Sequence, residues 1–379
     1  MTTIYLVRHA QAEGNLYRRF HGQFNTNLTG TGLRQLKPLA RRFALLPLDA
    51  VYSSDLTRAR RTAEAIAGAK GLSVRLEPRF REVDVGVWDN LPFGELEQHH
   101  AEDYALLRRD PQRWHVEGAE RWADYTGRFL AALDELAARH DGGSIAVVTH
   151  WMILEQVLNR LFPGQWQGYC DNTAVTCVEA AGGGYTLRYA IDSSHLPPAL
   201  STYAAQRTLR EHPELHYNLW YQTALHDPER YIQYRREAWE LVYGDLRGFD
   251  GPAFWSTAVK TCEDDPAALV YAMSGNQIAG ILQLNVNGYA ALNAGYIPFI
   301  YMREAYRHKG LGIQLIGYAA LYFQALGRDK LQLSVAPQNL PAIGFYEKYG
   351  FHRVAVTGGR NKLWRMEKDI TAAPSVSKT

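Results

Sequence analysis

Thr3-Ile4-Tyr5-Leu6-Val7-Arg8-His9 opens the chain after two residues, and Ser144-Ile145-Ala146-Val147-Val148-Thr149-His150 has the same pattern much later. Each is a short apolar, β-branched run that ends in polar residues, which is typical of a buried strand. Helical apolar spacing runs from Leu33 to Leu46, and a second helix is predicted over Thr57–Ala69. Strands that alternate with helices favour a mainly parallel sheet covered on both faces. We therefore predict an N-terminal α/β domain with three layers, α/β/α.

A cluster of turn and breaker residues, Asp192-Ser193-Ser194-His195-Leu196-Pro197-Pro198, marks the end of this domain. We predict a first domain over 1–195 and a linker with a bridging helix over 196–214. Residues 215–370 show two helical patterns and then strands and helices in a different order, which indicates a second domain of mixed α/β type. The polar tail 371–379 is expected to be disordered.

The composition fits a globular protein and excludes several classes. Of the 379 residues, 46% are hydrophobic and 21% charged, values that argue against disorder, collagen-like repeats and coiled coil. The net charge of +2 gives no general argument for nucleic acid. Residues 301–379, however, hold 12 basic and five acidic residues. This excess predicts an anionic ligand near the C-terminus.

The cysteines and the apolar runs indicate the compartment. Cys170, Cys177 and Cys262 form no CxxC pair, so neither a disulfide framework nor a zinc site is expected. Arg8 interrupts the N-terminal apolar run where a signal peptide would continue. No uncharged apolar run approaches the ~18 residues of a membrane span. We expect a cytoplasmic protein that binds neither membrane nor nucleic acid, and the sequence defines no oligomeric state.

Two arginines and two histidines are expected to converge on one crevice. Arg8 and His9 follow the first strand, and His150 ends a later one, so they meet at the carboxyl edge of the sheet. Arg58 begins a helix, and Glu82 lies in an irregular stretch. Alone, each would be an ordinary structural or surface residue. Together they suit a tetrahedral oxyanion, because guanidinium groups fork onto phosphate oxygens.

These residues resemble the histidine phosphatase (phosphoglycerate mutase-like) superfamily over roughly 1–195. The matching motifs, in the family's order, are Leu6-Val7-Arg8-His9, Thr29–Gly32, Tyr52-Ser53-Ser54 through Arg58, Glu82, and Val148-Thr149-His150. The resemblance makes His9 the nucleophile that accepts the phosphoryl group. It makes Glu82 the acid for the leaving oxygen and then the base for the attacking water. The groups implied to hold the phosphoryl oxygens and complete the pocket are Arg8, Arg58, His150, Asn15, His21 and Gly22.

This chain departs from the family pattern at a few positions. Ala10-Gln11 replaces Gly-Glu, Trp151 replaces Gly, and Asp89-Asn90 replaces Glu-Gly. None of them belongs to the phosphoryl-binding set, and Trp151 is expected to narrow the substrate mouth. Mutases of the family are usually longer, with an insertion that excludes water. The first domain, predicted to end near 195, is shorter than those mutases, and this favours hydrolysis over phosphoryl transfer.

A glycine-rich loop forms the second candidate site. Arg307-His308-Lys309-Gly310-Leu311-Gly312 follows the strand Phe299–Met302 and opens a helix. Glycines let the backbone approach a ligand closely, and exposed amides at a helix start attract phosphate. A dinucleotide-binding interpretation is poor, because no GxGxxG follows a first strand.

With Asn339 and Phe345-Tyr346 downstream, this loop resembles the GNAT acetyltransferase family over roughly 215–370. The resemblance implies acetyl-CoA as the acyl donor. It assigns the pyrophosphate to the loop and a coenzyme contact to Asn339, and it makes Tyr346 the proton donor to the departing thiolate. The implied cofactor-binding residues are Ile300, Tyr301, Met302, Arg307, His308, Lys309, Gly310, Leu311, Gly312 and Asn339.

The fusion predicts a bifunctional enzyme that acts on a small metabolite with both a phosphate monoester and an amine. One domain would acetylate nitrogen and the other would remove phosphate, and neither resemblance requires a metal. An alternative is a phosphoprotein or phosphohistidine phosphatase joined to a protein-modifying acetyltransferase. In a third reading, one domain is a ligand sensor that regulates the other.

Overall fold

The computed structural model describes residues 1–203, 216–358 and 362–376, which divide into two compact units. The described residues of Met1–Leu91, His99–Pro213 and Ala373–Thr379 form one unit, and those of Pro92–Gln98 and Glu214–Ala372 form the other. The short segment 92–98 thus belongs with the second unit, where Glu95 accepts a hydrogen bond from the Tyr221 amide at 3.0 Å.

The first part of the chain alternates strands and helices. Its elements are β1 (Thr2–Arg8), α1 (Glu13–Tyr17), β2 (Arg19–Phe20), α2 (Gly30–Ala44), β3 (Ala50–Ser53), α3 (Thr57–Gly68), β4 (Val74–Leu76), β5 (Leu91–Pro92), α4 (Phe93–His99), α5 (Ala101–Arg109), α6 (Trp122–Arg139), β6 (Ser144–Thr149), α7 (Trp151–Leu161), β7 (Val175–Ala181) and β8 (Gly184–Asp192).

The sheet of the first unit has the strand order β4-β3-β6-β1-β7-β8. Its first four strands are parallel, and β7 and β8 are antiparallel. In the central pair, Arg8 lies opposite Thr149, so both strands end at the same edge. That register brings the residues after β1 and β6 together, which is the condition that the candidate site requires.

Helices cover both faces of this sheet. On one face, α2 and α3 complete a core in which Phe43 meets Tyr5 edge to face, with ring centroids 5.7 Å apart. On the other face, α6 and α7 pack against β1 and against each other, and Phe129 of α6 has no exposed surface. Full burial of such a side chain stabilises the fold by roughly 1.5–3 kcal/mol. The predicted three-layer α/β/α architecture is confirmed.

Some elements differ from the sequence prediction. The stretch around Glu82, which the sequence predicts to be irregular, contains α4 and α5 within residues 70–121. The pattern does not reveal α5 because this helix buries only Leu107 and so lacks a strong apolar stripe. Strand β7 was not predicted. The bridging helix expected in the linker 196–214 falls mostly outside the described residues, and within them Pro198–Leu200 forms a short 3-10 turn.

The second unit contains a mixed sheet with the order β14-β15-β13-β12-β11-β10-β9, which confirms the mixed α/β prediction. Its main elements are β9 (Leu219–Thr223), α8 (Pro228–Tyr243), α9 (Gly251–Cys262), β10 (Leu269–Ser274), β11 (Gln277–Tyr289), β12 (Ala294–Met302), α10 (Gly312–Ala325), β13 (Lys330–Val335), α11 (Leu340–Lys348), β14 (His352–Val356) and β15 (Trp364–Asp369).

Strands β12 and β13 separate part-way along their length. They pair in parallel only from Ala294 to Ile297, whereas β12 continues to Met302 and β13 to Val335. An irregularity in the β11–β12 pairing lies between Gln283 and Asn285, at the level where the separation begins. The backbone of β12 beyond Ile297 therefore has no β13 partner and borders an opening in the sheet.

Helices lie on both faces of this second sheet. Tyr301 and Met302 are consecutive residues of β12, so their side chains point to opposite faces. Tyr301 packs on Tyr234 of α8, with ring centroids 5.8 Å apart, whereas Met302 lies beside Gly312 at the start of α10. Among the described residues, no helix is both long and apolar enough to cross a membrane.

Candidate active sites

His9 is held as a neutral imidazole with a free Nε2. Its Nδ1 lies 2.7 Å from the carbonyl oxygen of Ala10, and a carbonyl oxygen can only accept, so Nδ1 carries the proton. Burial, followed by the charges of Arg58 and Arg8, holds the pKa of His9 well below its usual value. The Nε2 lone pair is therefore available as a nucleophile at neutral pH.

The backbone around His9 is fixed by a loop that precedes β7. Asn172 Nδ2 donates to the His9 carbonyl oxygen at 3.0 Å, and the amide of Thr173 donates to the Arg8 carbonyl oxygen at 3.1 Å. Thr173 has a φ of +66°, a left-handed conformation that strains a β-branched residue. The surrounding hydrogen bonds hold this strained residue at the nucleophile.

Arg58 lies buried at the start of α3 and binds three neighbours. Its Nε donates to Nδ1 of His150 at 3.2 Å, and its two terminal nitrogens donate to the carbonyl oxygens of Phe24 and Gly22 at 2.8 and 2.7 Å. Burial lowers the pKa of Arg58 to about 10, so it remains a cation. A guanidinium has five N–H groups, and two remain for an anion.

His150 accepts a hydrogen bond at Nδ1 and carries its proton on Nε2. Because Arg58 can only donate, Nδ1 of His150 accepts, and the proton of the neutral ring is on Nε2. This Nε2 lies 2.8 Å from Ser54 Oγ. Burial and Arg58 hold the pKa of His150 well below its usual value. The His9 and His150 rings lie 5.1 Å apart between centroids, so the two histidines are neighbours in one site.

Arg8 completes the cationic side of the site. It is 6% exposed, and its Nη1 donates to the carbonyl oxygen of Cys170. Its Nε is buried and has no hydrogen-bond partner among the residues that the structure describes. A buried unpaired donor is costly, and a bound oxyanion would satisfy it. Arg8 and Arg58 thus supply guanidinium N–H donors suited to phosphoryl oxygens, whereas the N–H of His150 lies against Ser54 Oγ.

Glu82 lies at the N-terminal end of α7. Its Oε1 accepts from the amides of Val83 and Ile153 at 3.1 and 2.8 Å, and its Oε2 accepts from Met152 at 3.0 Å. Burial raises the pKa of Glu82, while these backbone donors and Arg58 oppose the shift. The net direction favours the protonated carboxyl, as a general acid requires.

Asn15 and His21, which the family resemblance assigns to the pocket, differ in how far their side chains are already hydrogen-bonded. Asn15 Oδ1 accepts from the Ala12 amide at 3.0 Å, and its Nδ2 makes no hydrogen bond to a described residue, so the amide can serve a ligand. His21 lies with its ring nitrogens 3.0 Å from Asn90 Oδ1 and 3.4 Å from Thr26 Oγ1. Burial lowers the pKa of His21 to about 3.

Gly22 contacts the site through its carbonyl, which holds Arg58, while its amide donates to Asp89 Oδ1 at 2.9 Å. Asp89 and Asn90, which looked like simple departures from the family pattern, therefore hold the loop that supports Arg58. Ser54 and Asn172 were also missed as site residues. Only the position of Ser54, beside the strand end at Ser53, could have indicated its role.

The glycine-rich loop of the second unit has the backbone that the sequence suggested. His308 and Gly310 have φ values of +59° and +74°, and only glycine adopts such a conformation without strain. The loop leads into α10 at Gly312. Arg307 folds back onto the strand, where its Nε donates to the Met302 carbonyl oxygen at 2.8 Å and its guanidinium lies 5.3 Å from the Tyr301 ring.

The start of α10 meets β12 and α11. A Cβ built on Gly312 would lie 3.3 Å from the Phe345 ring and 3.9 Å from Met302, so Gly312 lies close to both side chains. The loop, the end of β12 next to the opening in the sheet, and the first half of α11 therefore adjoin one another. The structure brings these predicted coenzyme contacts together, including Ile300, Lys309 and Leu311 on the same segments.

Tyr346 and Asn339 lie on or beside α11. Tyr346 is 7% exposed between Phe345 and Phe351, and burial raises the pKa of its hydroxyl, which is therefore neutral at pH 7. Asn339 caps the helix, with Oδ1 accepting from the Ala342 amide at 3.3 Å. In the described residues, no group of three or more His, Cys, Asp and Glu side chains is arranged to hold a metal ion.

Comparison with known families matches both units. Residues 4–193 match the model of the histidine phosphatase superfamily (branch 1), and residues 229–351 match that of the acetyltransferase (GNAT) family. Both families were expected from the motifs, and the comparison confirms them.

Individual relatives match the first half of the chain. Phosphoserine phosphatase 1 of Hydrogenobacter thermophilus is 31% identical over 182 residues, 47% of this chain and 86% of that protein. The probable phosphoglycerate mutase GpmB of Yersinia pestis is 32% identical over 161 residues, 42% of this chain and 75% of that protein. The structure of YhfR from Bacillus stearothermophilus matches with a TM-score of 0.49 and 28% identity, covering 52% of this chain and 99% of that one.

Proposed function

Because the chain belongs to the histidine phosphatase superfamily (branch 1) and carries a GNAT acetyltransferase domain, we propose that it hydrolyses a phosphomonoester and transfers an acetyl group to an amine. Both families indicate an enzyme. The proposed domains are 1–195 for the first activity and 215–370 for the second.

The observation that carries the phosphatase half is the Nδ1 contact of His9 with the Ala10 carbonyl. It leaves the Nε2 lone pair free beside a set of cationic and N–H donors. In the first step, Nε2 attacks phosphorus, the P–O bond to the leaving group breaks, and the Glu82 proton goes to the leaving oxygen. Arg8, Arg58 and His150 stabilise the charge on the phosphoryl oxygens.

The second step regenerates the enzyme. Water attacks the phosphohistidine, the P–N bond breaks, and Glu82, now a carboxylate, takes the proton of the water. His9 returns to its neutral form, and inorganic phosphate leaves. The burial that raises the pKa of Glu82 helps both steps, because it increases the fraction of Glu82 that holds a proton to give and makes the carboxylate a stronger base.

The acetyltransferase half rests on the loop with positive φ values and on Tyr346. Acetyl-CoA, when bound, supplies the thioester, and Gly310 and Gly312 give its pyrophosphate room to approach the loop backbone. The acceptor nitrogen attacks the thioester carbon, the C–S bond breaks, and the Tyr346 hydroxyl gives its proton to the sulfur. The proton lost by the amine passes through solvent to the Tyr346 phenolate and restores its hydroxyl.

A small phosphorylated amine is the proposed substrate class, because it can enter both sites. The name of the Hydrogenobacter relative, phosphoserine phosphatase, points to a compound with a phosphate ester and an amine. We propose no nucleic-acid or membrane partner.

A panel of phosphorylated amines tests this function with the full chain, with phosphate release and free thiol measured separately. We expect phosphate from small amino-alcohol or amino-acid phosphates, and thiol release that depends on an amine. Activity on folded phosphoprotein, with none on small esters, would instead select the protein-directed alternative. Thiol release without any phosphatase activity would contradict the first half of the proposal.

A further inference from the structure

A guanidinium without a carboxylate partner lies on the α8 face of the second sheet. Arg235 donates from Nε to the Tyr231 hydroxyl at 3.0 Å and from Nη2 to Gln283 Oε1 at 3.2 Å. Its guanidinium lies 4.0 Å from the ring centroid of Phe299 and 4.6 Å from that of Phe254. Two aromatic faces thus hold the cation in place.

No acidic residue within the described ranges neutralises this cation. Glu237, a carboxylate on the same helix, accepts from the Tyr301 hydroxyl at 2.6 Å and from Gln233 at 2.9 Å. The interactions of Arg235 are with neutral groups, and burial lowers its pKa. Removing a cation from water without a counter-ion destabilises a fold, so such a site favours an anion that completes it.

A second arginine faces the same region. Arg365 of β15 has a buried Nε with no hydrogen-bond partner in the described part of the chain, and its guanidinium lies 5.3 Å from the Tyr289 ring. The Tyr289 and Tyr296 rings lie 4.9 Å apart. The charges of Arg235 and Arg365 both lower the pKa of Tyr296, which burial raises. The Arg365 guanidinium and the rings of Tyr289 and Tyr296 therefore adjoin one another, and the charges of both arginines act on Tyr296.

This region borders the opening between β12 and β13. Arg365 pairs with Ser334, which lies one residue beyond the last β12–β13 pair. The hydroxyl oxygens of Tyr296 and Ser334 are 3.3 Å apart. The glycine-rich loop begins α10 at the other face of the sheet. A thioester in the opening can therefore be reached from the α8 face by a second molecule.

We infer that Arg235 and Arg365 bind an anionic group, a phosphate or a carboxylate, of the amine that accepts the acetyl group. This inference rests on the proposed acetyltransferase function and specifies its acceptor. The anion would take the Nε of Arg365 and the uncommitted N–H groups of Arg235 as donors. It would hold the amine on the α8 side of the opening, opposite the coenzyme loop.

Matched acceptors test the inference with the full chain. 2-Aminoethylphosphonate carries a phosphonate whose C–P bond a phosphomonoester hydrolase leaves intact, β-alanine carries a carboxylate, and 3-aminopropan-1-ol is neutral. The variants are Arg235→Gln and Arg365→Gln, with the exposed neighbour Arg236→Gln as control. Steady-state thiol release from acetyl-CoA gives kcat/KM for each pair.

We expect kcat/KM for at least one anionic acceptor to exceed that for the neutral amine by about 100-fold, since charged hydrogen bonds are strong in a buried site. Arg235→Gln should lower this preference about 10–100-fold by raising KM for the anionic acceptor. Arg235→Lys should restore part of the preference. Arg236→Gln should change neither value. Preference for the phosphonate or for β-alanine identifies the anion as phosphate-like or carboxylate-like.

Equal losses for neutral and anionic acceptors, or no preference in the wild-type chain, would overturn the inference. If Arg235→Gln fails to fold, Arg365→Gln decides by the same criterion. If no amine is acetylated, the proposed function fails, but calorimetric binding of the same compounds still tests the site. Binding weaker in Arg235→Gln than in Arg236→Gln supports the anion site, and equal binding rejects it.

Discussion

Arg58 Nε lies 3.2 Å from Nδ1 of His150, and this single contact sets the proton position on the second histidine of the site. The arginine also binds the carbonyl oxygens of Gly22 and Phe24, so it ties the loop after β2 to the edge of the sheet. Arg58, a candidate anion-binding residue, thus also keeps the proton of His150 on Nε2, which lies 2.8 Å from Ser54 Oγ. A substitution there should affect positioning as well as charge.

Arg58→Lys should reduce kcat for phosphate release by at least about 10²-fold, although the charge is kept. A lysine ammonium cannot reproduce the planar fork that serves His150 and two carbonyls. Steady-state hydrolysis of an aryl phosphate provides the measurement. Arg61→Lys, at an exposed position on the same helix, is the control and should retain full activity. Equal activity of the two variants would contradict the proposed positioning role of Arg58.

Glu82→Gln should slow hydrolysis of alkyl phosphates roughly 10²–10⁴-fold, because an amide cannot give a proton to the leaving oxygen. An activated aryl phosphate has a leaving group that needs little protonation, so its first step should be affected much less. Single-turnover release of the alcohol or phenol separates this step from the attack by water. Equal losses for the two leaving groups would show that Glu82 has no role as an acid.

The pH profile of alkyl phosphate hydrolysis should report the same residues. His9 and His150 have lowered pKa values, so their neutral forms persist as the pH falls below 6.5. Glu82 has a raised pKa, so kcat/KM should decline as the pH rises through that value and the carboxyl loses its proton. We expect this alkaline limb to disappear in Glu82→Gln. An unchanged limb in that variant would assign it to another group.

Tyr346→Phe should reduce acetyl transfer while the affinity for acetyl-CoA stays within a few-fold. The hydroxyl is needed only as charge builds on the departing sulfur, so its loss lowers kcat rather than ground-state binding. Calorimetry and steady-state thiol release measure the two quantities. Tyr349→Phe, one helical turn away, is a matched control, and phosphate release should survive in both variants. Full acetyl transfer by Tyr346→Phe would show that the proton comes from elsewhere.

Much of the phosphatase-type site could be predicted because its residues lie at the ends of predictable strands. The apolar runs before His9 and His150 indicate buried parallel strands, and the carboxyl ends of neighbouring parallel strands meet at one edge. Asn172 gave no such signal. It comes from a loop before the antiparallel strand β7, and its contact with the His9 carbonyl depends on a pairing between distant segments.

In the second unit, too, some site residues could be predicted from the sequence and others could not. The coenzyme loop could be predicted, since two glycines at a helix start give a local signal, and the positive φ of Gly310 agrees with it. The pair of Arg235 and Arg365 could not be predicted. One lies on α8 and the other on β15, 130 positions away in the sequence, and their approach to Tyr296 depends on the order of strands in the sheet.

The most direct test of the central claim is the position of phosphate on the enzyme during turnover. Full-length protein mixed with a labelled small phosphoester, quenched within the first turnover under alkaline conditions and digested, should show acid-labile phosphate on the peptide that contains His9. Mass spectrometry should place it on the His9 side chain, and His9→Ala should lack both the adduct and phosphate release while still releasing thiol from acetyl-CoA. Substantial phosphate release by His9→Ala, or phosphate found only on another residue, would contradict the covalent mechanism.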